Sequence, residues 1–164
     1  MVAVVAVDEN WGIGCDGELL YHIPEDKKFV REFTAGKVLV MGNATLKSLP
    51  GGKPLKNRIN IVLSRDTSIK SDCVTVCNSV EELLDTVSVY NPDDVVVFGG
   101  EGIYKQLLDH CTAIYVTKIK GSKKADRFFP DLDLLCNWQI ESKSEEKEYN
   151  GLKYAFYKYI PRNL

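Results

Sequence analysis

Residues 95–107 read VVVFGGEGIYKQL. Four apolar, mostly β-branched residues leave no polar face, the pattern of a strand covered on both sides. Gly99-Gly100-Glu101-Gly102 then breaks the run, and residues 102–110 (GIYKQLLDH) read as a helix. The same doubly apolar pattern recurs at 2–7 (VAVVAV), 38–41 (VLVM) and 59–63 (INIVL), and helical stretches are expected at 25–34 and 79–88. Ser79 followed by Glu82 predicts a capping box. Residues 113–119 (AIYVTKI) and 154–160 (YAFYKYI) alternate more and predict antiparallel partners near the C-terminal end. Gly51-Gly52, Asn91-Pro92-Asp93-Asp94 and Asn150-Gly151 mark turns, the last one a terminal β-hairpin. Residues 1–164 are thus expected to form one α/β domain around a mixed, mostly parallel sheet.

Composition removes several function classes. Lys plus Arg is 21 and Asp plus Glu is 23, a formal net charge of -2, so no basic excess exists to neutralise nucleic-acid phosphates. No apolar run is long enough for a membrane helix, and the N-terminal MVAVVAVDENWGIG lacks the positive start of a signal peptide. Five widely spaced cysteines without a C-x-x-C pair argue against a disulfide framework or zinc site, and a reducing cytoplasm is the simple expectation. Two histidines, His22 and His110, make no metal-ligand pattern, and no G-x-S-x-G nucleophile motif is present.

Two joints pass from strand through glycine to helix. One runs from VLVM into Gly42-Asn43-Ala44-Thr45, the other from VVVF into Gly99-Gly100-Glu101-Gly102. At such joints unpaired backbone N–H groups and the helix dipole favour an anion, and glycine lets the chain approach it. Either joint alone is also an ordinary turn; two in one small domain suit a dinucleotide with two phosphate regions. The spacing is not G-x-G-x-x-G. Ser64-Arg65 closes INIVL, and a guanidinium at that edge could hold a further ribose phosphate or simply be solvated.

Asp26 lies three and four positions before Phe29 and Val30 and shares their helix face. It reads either as a first-turn acid matched to the helix dipole or as a carboxylate aimed into a pocket. In the pocket it needs a partner rich in N–H donors, such as an amidine-like heterocycle edge. Thr117 shares its strand face with Tyr115 and Ile119, and could either serve β-propensity or brace Asp26. Arg58, just before INIVL, could clamp a substrate carboxylate.

The order and spacing of several segments carry a resemblance. Ile13-Gly14 is followed by Asp16-Gly17 and by Tyr21-His22-Ile23-Pro24-Glu25-Asp26. Met41-Gly42 leads to Thr45 and Ser48, and Pro54-Leu55 to Arg58 and Asn60 through Arg65. Then come Phe98 through Tyr104, Tyr115 through Ile119, and Asp126 through Asp131. Over nearly the whole chain this resembles dihydrofolate reductase of the bacterial, single-domain type. The resemblance implies a three-layer fold, with a C-terminal antiparallel hairpin. It implies NADPH-dependent reduction of 7,8-dihydrofolate to tetrahydrofolate, antifolate binding, and a monomer. By match, Asp26 holds pterin N3 and the 2-amino group, with Thr117 and Tyr21 beside it as the other catalytic residues. Val5, Ala6, Leu19, Val30, Leu49, Leu55 and Phe98 line the substrate, and Arg58 pairs with its glutamate carboxylate. Ala6, Ile13, Gly14 and Phe98 border the nicotinamide. Gly42, Asn43, Ala44 and Thr45 form one phosphate joint, and Gly100, Glu101, Gly102, Ile103 and Tyr104 the other. Leu63, Ser64 and Arg65 fall at the adenosine ribose phosphate. A cis Gly99-Gly100 peptide and a closing loop around 14–20 are also implied.

The chain departs from the family pattern at several positions. Lys27 stands where an apolar residue usually faces the benzoyl group, and Val30 replaces a usual phenylalanine, which implies a roomier pocket. Asn43, Asn78 and Gly102 stand where basic residues often grip the cofactor phosphates, which leaves Arg65 as the main expected anchor for the 2′-phosphate. Two other readings are a reductase of related fold acting on a ribosylated pyrimidine in flavin biosynthesis, and a non-catalytic dinucleotide- or pterin-binding module. The Asp26, Thr117 and Arg58 set counts against the first.

Overall fold

The computed structural model describes residues 1–69 and 72–163. In chain order, β1 (Val2–Val7) is followed by β2 (Gly12–Cys15), β3 (Glu18–Leu19), α1 (Pro24–Thr34), β4 (Val38–Met41) and α2 (Asn43–Ser48). Next come β5 (Ile59–Leu63), β6 (Val74–Cys77), α3 (Val80–Val87), β7 (Val95–Gly99) and α4 (Glu101–Leu107). The chain ends with β8 (Ala113–Lys120), β9 (Arg127–Phe128), β10 (Trp138–Lys143), β11 (Lys147–Tyr149) and β12 (Leu152–Pro161). The main sheet runs β10-β12-β8-β1-β7-β4-β5-β6, with β11 paired to β12. β6, β5, β4, β7, β1 and β8 are mutually parallel, and β12 runs antiparallel to β8.

The doubly apolar runs are explained by what covers them. Val2, Val4, Leu39, Met41, Val62 and Val96 face one side, where Phe29 and Phe33 of α1 and Leu46 of α2 pack on them. Ala3, Val38, Val40, Ile61, Val95 and Val97 face the other, against Leu83 and Val87 of α3 and Ile103 and Leu107 of α4. Alternate residues of each strand thus enter opposite cores, so neither face is free to be polar. β11 and β12 form the expected hairpin. Asn150 and Gly151 both hold positive φ (50° and 79°), the conformation a two-residue turn of the primed type requires.

Three features differ from expectation. Most of the closing loop expected around 14–20 lies in a small antiparallel sheet ordered β3-β2-β9, with β2 beginning at Gly12. Its turn is Asp16-Gly17, again with positive φ at both positions (52° and 80°), and Asp126 ties it down by accepting from Asp16 N at 3.1 Å. Edge strands β6 and β10 are additional to the expected set. β10 is exposed along most of its length and carries charged residues, which hides it from a hydrophobic pattern. The capping box is half made. Ser79 Oγ accepts from Glu82 N at 3.0 Å, but the Glu82 carboxylate accepts from Asn78 N at 2.7 Å, one residue earlier than Ser79.

Candidate active site

The sheet forks at the carboxyl ends of its central strands. β1 and β7 pair only at Val2↔Val96 and Ala3↔Val97. β1 nevertheless stays paired to β8 as far as Val7↔Lys118, and β7 to β4 as far as Met41↔Gly99. Just beyond the fork, Val5 and Ala6 on β1 and Phe98 on β7 are half-exposed, although Val7 and Gly99 that end the two strands are buried. A crevice of this kind, outside the carboxyl ends of parallel strands, is where open α/β sheets bind ligands.

α1 starts at the same end of the sheet, so its first turn overhangs the crevice. Asp26 is half-buried there and accepts a hydrogen bond from Thr117 Oγ1 of β8 at 2.6 Å. Burial pushes the Asp26 carboxyl above its ordinary range, while the Thr117 hydroxyl and the Lys27 ammonium pull it back. A pocket beside it is bordered by Ala6, Ile13, Leu19, Tyr21, Asp26 and Lys27. Leu19, an apolar residue on the border of that pocket, leaves 61% of its surface in water. Val30, Leu49 and Leu55 are half-buried on the same side of the sheet, where Leu49 and Leu55 join the apolar cluster of Phe29 and Phe33. Tyr21 presents its ring to the pocket; its hydroxyl lies against Gly121, and Asp8 and Glu9 help burial to raise its pKa. Lys123 caps the ring at 4.3 Å.

Arg58 is fixed by three bonds. Nε donates to Thr34 Oγ1 at 3.2 Å, and the two terminal nitrogens donate to the carbonyls of Lys56 at 2.7 Å and Arg31 at 2.6 Å. One N–H on each terminal nitrogen stays available for a carboxylate. Two buried polar residues that pattern and spacing do not single out perform the positioning. Asn60 is 4% exposed within β5, and its amide bonds the Leu55 carbonyl at 2.9 Å and the Leu55 N–H at 3.3 Å, which sets the 55–58 segment. Asp8 is 3% exposed and accepts from Asn10 N at 2.9 Å, Gly12 N at 2.8 Å and Lys123 N at 3.3 Å, pinning the chain as it leaves β1. An amide or carboxylate inside an apolar run is the available signal.

Across the fork, the two glycine joints lie side by side. Gly42 N donates to Gly99 O at 2.8 Å, and the Gly99-Gly100 peptide is cis. A β-carbon on Gly42 would meet Ile103 Cγ1 at 3.1 Å, and one on Gly100 would meet Thr45 Oγ1 at 3.4 Å. Neither α2 nor α4 has a side-chain cap, so the first-turn amides of Asn43, Ala44 and Thr45 and of Glu101, Gly102 and Ile103 meet the crevice without one, while Tyr104 N already donates to Gly100 O at 2.9 Å. Tyr104 closes the floor, donating to Val4 O at 2.7 Å, with its phenol pKa raised by burial. Because β5 lies next to β4 in register Met41↔Val62, Leu63, Ser64 and Arg65 reach the same edge as Gly42. Asn78 braces that corner by donating to Ser64 O at 2.8 Å, and Arg65 is exposed. A cradle of glycines and uncapped amides with a cation at its end fits a dinucleotide diphosphate.

A sequence model described as dihydrofolate reductase matches residues 1–161. The chain belongs to the dihydrofolate reductase family. Its similarity to dihydrofolate reductase of Staphylococcus aureus is 36% identity over 155 residues, 93% of this chain and 92% of the relative. With that of Bacillus subtilis it is 33% over 162 residues, 98% and 94% of the two chains. A solved dihydrofolate reductase from Enterococcus faecalis, complexed with NADP(H) and RAB-propyl, superposes with a TM-score of 0.87 at 32% identity, covering 99% of this chain and 96% of that one. The family's three-layer arrangement is the one described above.

The departures from the family pattern now have places. Lys27 is exposed at the pocket beside Asp26. Asn43 opens α2, and Gly102 faces open space, where a β-carbon would meet nothing within 4 Å. Glu101 points away from the cradle, bonding Lys105 Nζ at 2.7 Å and accepting from Phe128 N at 3.2 Å.

Proposed function

We infer that the chain reduces 7,8-dihydrofolate to tetrahydrofolate with NADPH, using Asp26 and Thr117 as the grip on the pterin. The observation that carries the residue assignment is the Thr117–Asp26 bond at the mouth of the fork. It leaves Oδ2 and the second lone pair of Oδ1 to accept from the pterin N3 and 2-amino edge, two parallel donors that match the two oxygens of a carboxylate. The nicotinamide, when bound, supplies the hydride to pterin C6.

This chain's residues do the rest. Ala6, Ile13 and Phe98 border the space for two stacked rings, and Leu19 covers it against water. Asp26 orients the ring and polarises it toward protonation at N5, with the proton delivered by water. Burial raises its pKa, so the charged form that accepts from the pterin edge is held there at a cost, which the Thr117 hydroxyl and the Lys27 ammonium reduce. Arg58, fixed by Thr34 and two carbonyls, receives the glutamate carboxylate. The amides of Asn43, Ala44 and Thr45 at the Gly42 joint, and of Glu101, Gly102 and Ile103 at the Gly100 joint, receive the diphosphate, and Arg65 with Ser64 the 2′-phosphate. Residues 1–164 act as one domain and a monomer in the cytoplasm, on small molecules and antifolates and not on nucleic acid or membranes. No helix among the described residues is long and apolar enough to cross a membrane.

The test is the fall in NADPH absorbance on adding dihydrofolate to the purified chain. Turnover supports the reading. A folded chain that binds NADPH without oxidising it would instead be the non-catalytic module.

A further inference from the structure

The first turn of α1 has an unusual anchor. Its N-cap position is Ile23, which supplies no side-chain hydrogen bond, and Pro24 follows it. The turn is held from outside by the terminal hairpin. Tyr154 of β12 donates its hydroxyl to Glu25 Oε2, and Lys147 of β11 pairs with Glu25 Oε1 at 3.2 Å. Lys147 and Tyr154 are direct partners across the hairpin, so both reach the same carboxylate from one face. Tyr154 is 3% exposed and packs with Ile23 and Ile119, and its ring meets Phe156 edge-on at 5.9 Å. Phe156 in turn packs on Phe29 of α1 at 5.5 Å.

Glu25 and Asp26 are neighbours, and the strands that hold them are neighbours too. β12 pairs with β8 in the register Tyr154↔Ile119 and Phe156↔Thr117. Each of two consecutive acids therefore accepts one hydroxyl from one of two adjacent strands, Asp26 from Thr117 and Glu25 from Tyr154. One bond alone leaves the helix end free to pivot about it; two, on side chains about 100° apart around the helix axis, fix both its rotation and its depth. The charges agree with this. The Tyr154 bond, followed by Lys147, holds the Glu25 carboxyl below its usual range, while burial and Glu25 push the Tyr154 phenol up to about 12. The pair therefore stays anion and phenol throughout the working pH range.

We propose that Glu25 and Tyr154, supported by Lys147, are positioning residues for the reaction: they set where Asp26 stands toward the pterin, so that the terminal hairpin determines substrate affinity. Neither touches substrate or cofactor. The inference rests on the reading of Asp26 as the pterin-binding acid.

The experiment compares steady-state constants for dihydrofolate in Tyr154→Phe, Glu25→Ala, the double variant, Glu25→Gln and Asp26→Asn, with NADPH Kd and melting temperature measured on each. Tyr154→Phe and Glu25→Ala are each expected to raise KM for dihydrofolate roughly five- to tenfold, part of the worth of one hydrogen bond to a charged group because the lost bond acts on the substrate only through Asp26, with kcat and NADPH Kd within twofold. The double variant should match the worse single one, because both remove the same contact. Glu25→Gln keeps an acceptor oxygen and should restore KM to within twofold of the parent. Unchanged KM in both single variants, an additive double variant, or losses in NADPH Kd and melting temperature that parallel the loss in KM would each overturn the proposal. If Asp26→Asn itself turns over normally, the reading of Asp26 fails and takes the proposal with it. If Asp26→Asn is impaired and the hairpin variants are not, only the proposal fails.

Discussion

The two walls of the crevice are built on opposite principles. The substrate wall, formed by α1, β8 and β12, works through side chains already partnered: Thr117 on Asp26, and Thr34 with two carbonyls on Arg58. The cofactor wall, formed where β4 enters α2 and β7 enters α4, works through backbone N–H groups that side chains must stay away from. The first wall holds a carboxylate at an energetic cost, and its function is lost by removing atoms. The second is kept open by its glycines, and its function is lost by adding atoms to them. The contrast follows from the ligands: a flat donor-rich heterocycle needs an aimed acceptor, whereas a diphosphate needs many weak donors around a curved path.

The largest expected effect comes from removing one charge on the substrate wall. Asp26→Asn keeps the shape and an acceptor for Thr117 but loses the carboxylate that matches two pterin donors. Turnover at neutral pH should fall about 100-fold or more, with NADPH Kd within about twofold, since no cofactor group is touched. Single-turnover NADPH oxidation with a separate NADPH titration checks both halves. A parallel loss in both would mean that the two walls are not separable.

Arg65→Ala sharpens the comparison, because Arg65 is the exception on the cofactor wall: a side chain, exposed and at the edge shared with Gly42. With Asn43, Asn78 and Gly102 in place of other cations, it is the side chain proposed to hold the 2′-phosphate. Its loss should weaken NADPH roughly tenfold or more, the worth of hydrogen bonds to a charged group, and leave NADH nearly unchanged. Equal losses for both cofactors would move the 2′-phosphate elsewhere.

Adding an atom to the cofactor wall is the complementary perturbation. Gly99 holds φ at +129°, a region that side-chain-bearing residues avoid, although the space around a β-carbon there is ordinary, with Tyr104 Oη at 3.4 Å and Thr45 Oγ1 at 3.5 Å. Gly99→Ala should therefore act through the backbone, costing about 1–3 kcal/mol. It should weaken NADPH about tenfold while dihydrofolate KM, measured at saturating NADPH, holds. Urea unfolding and NADPH titration read the two effects.

The two walls also differ in how far the sequence reveals them. The doubly apolar runs and both glycine joints are legible because burial on two faces and a chain break leave local marks in VLVM-Gly42 and VVVF-Gly99. Asp26 and Thr117 are legible only as alternatives: each is an ordinary residue for its element, and only a register linking positions 91 residues apart brings them to 2.6 Å. The Asp16-Gly17 turn leaves a local mark too, a dipeptide that favours hairpins, but two glycines in β2 obscure any alternation there. Asn60 and Asp8 act through backbone partners that no spacing rule names. The hairpin grip on Glu25 is the least visible. Its residues are scattered over three elements, and Glu25 looks like a dipole-matched first-turn acid with no further partner.

The smallest expected effect tests the cost carried by the substrate wall. Burial raises the Asp26 carboxyl above its unfolded value, so between those two values the folded chain holds a proton that the unfolded chain has released. Stability therefore falls as pH rises through the ordinary carboxylate range to the raised value, and the full penalty is present above it. Asparagine does not titrate. Asp26→Asn should match the parent below the ordinary carboxylate range and exceed it by about 1 kcal/mol at neutral pH, the usual scale on which an active-site charge trades stability for activity. Urea midpoints of the two proteins across that range should converge at the acidic end and separate at the neutral end. Parallel curves would mean that Thr117 and Lys27 already offset the burial of the carboxylate. The loss of turnover in the same variant would then come from the missing match to the pterin edge alone, and the substrate wall would be as free of stored cost as the cofactor wall.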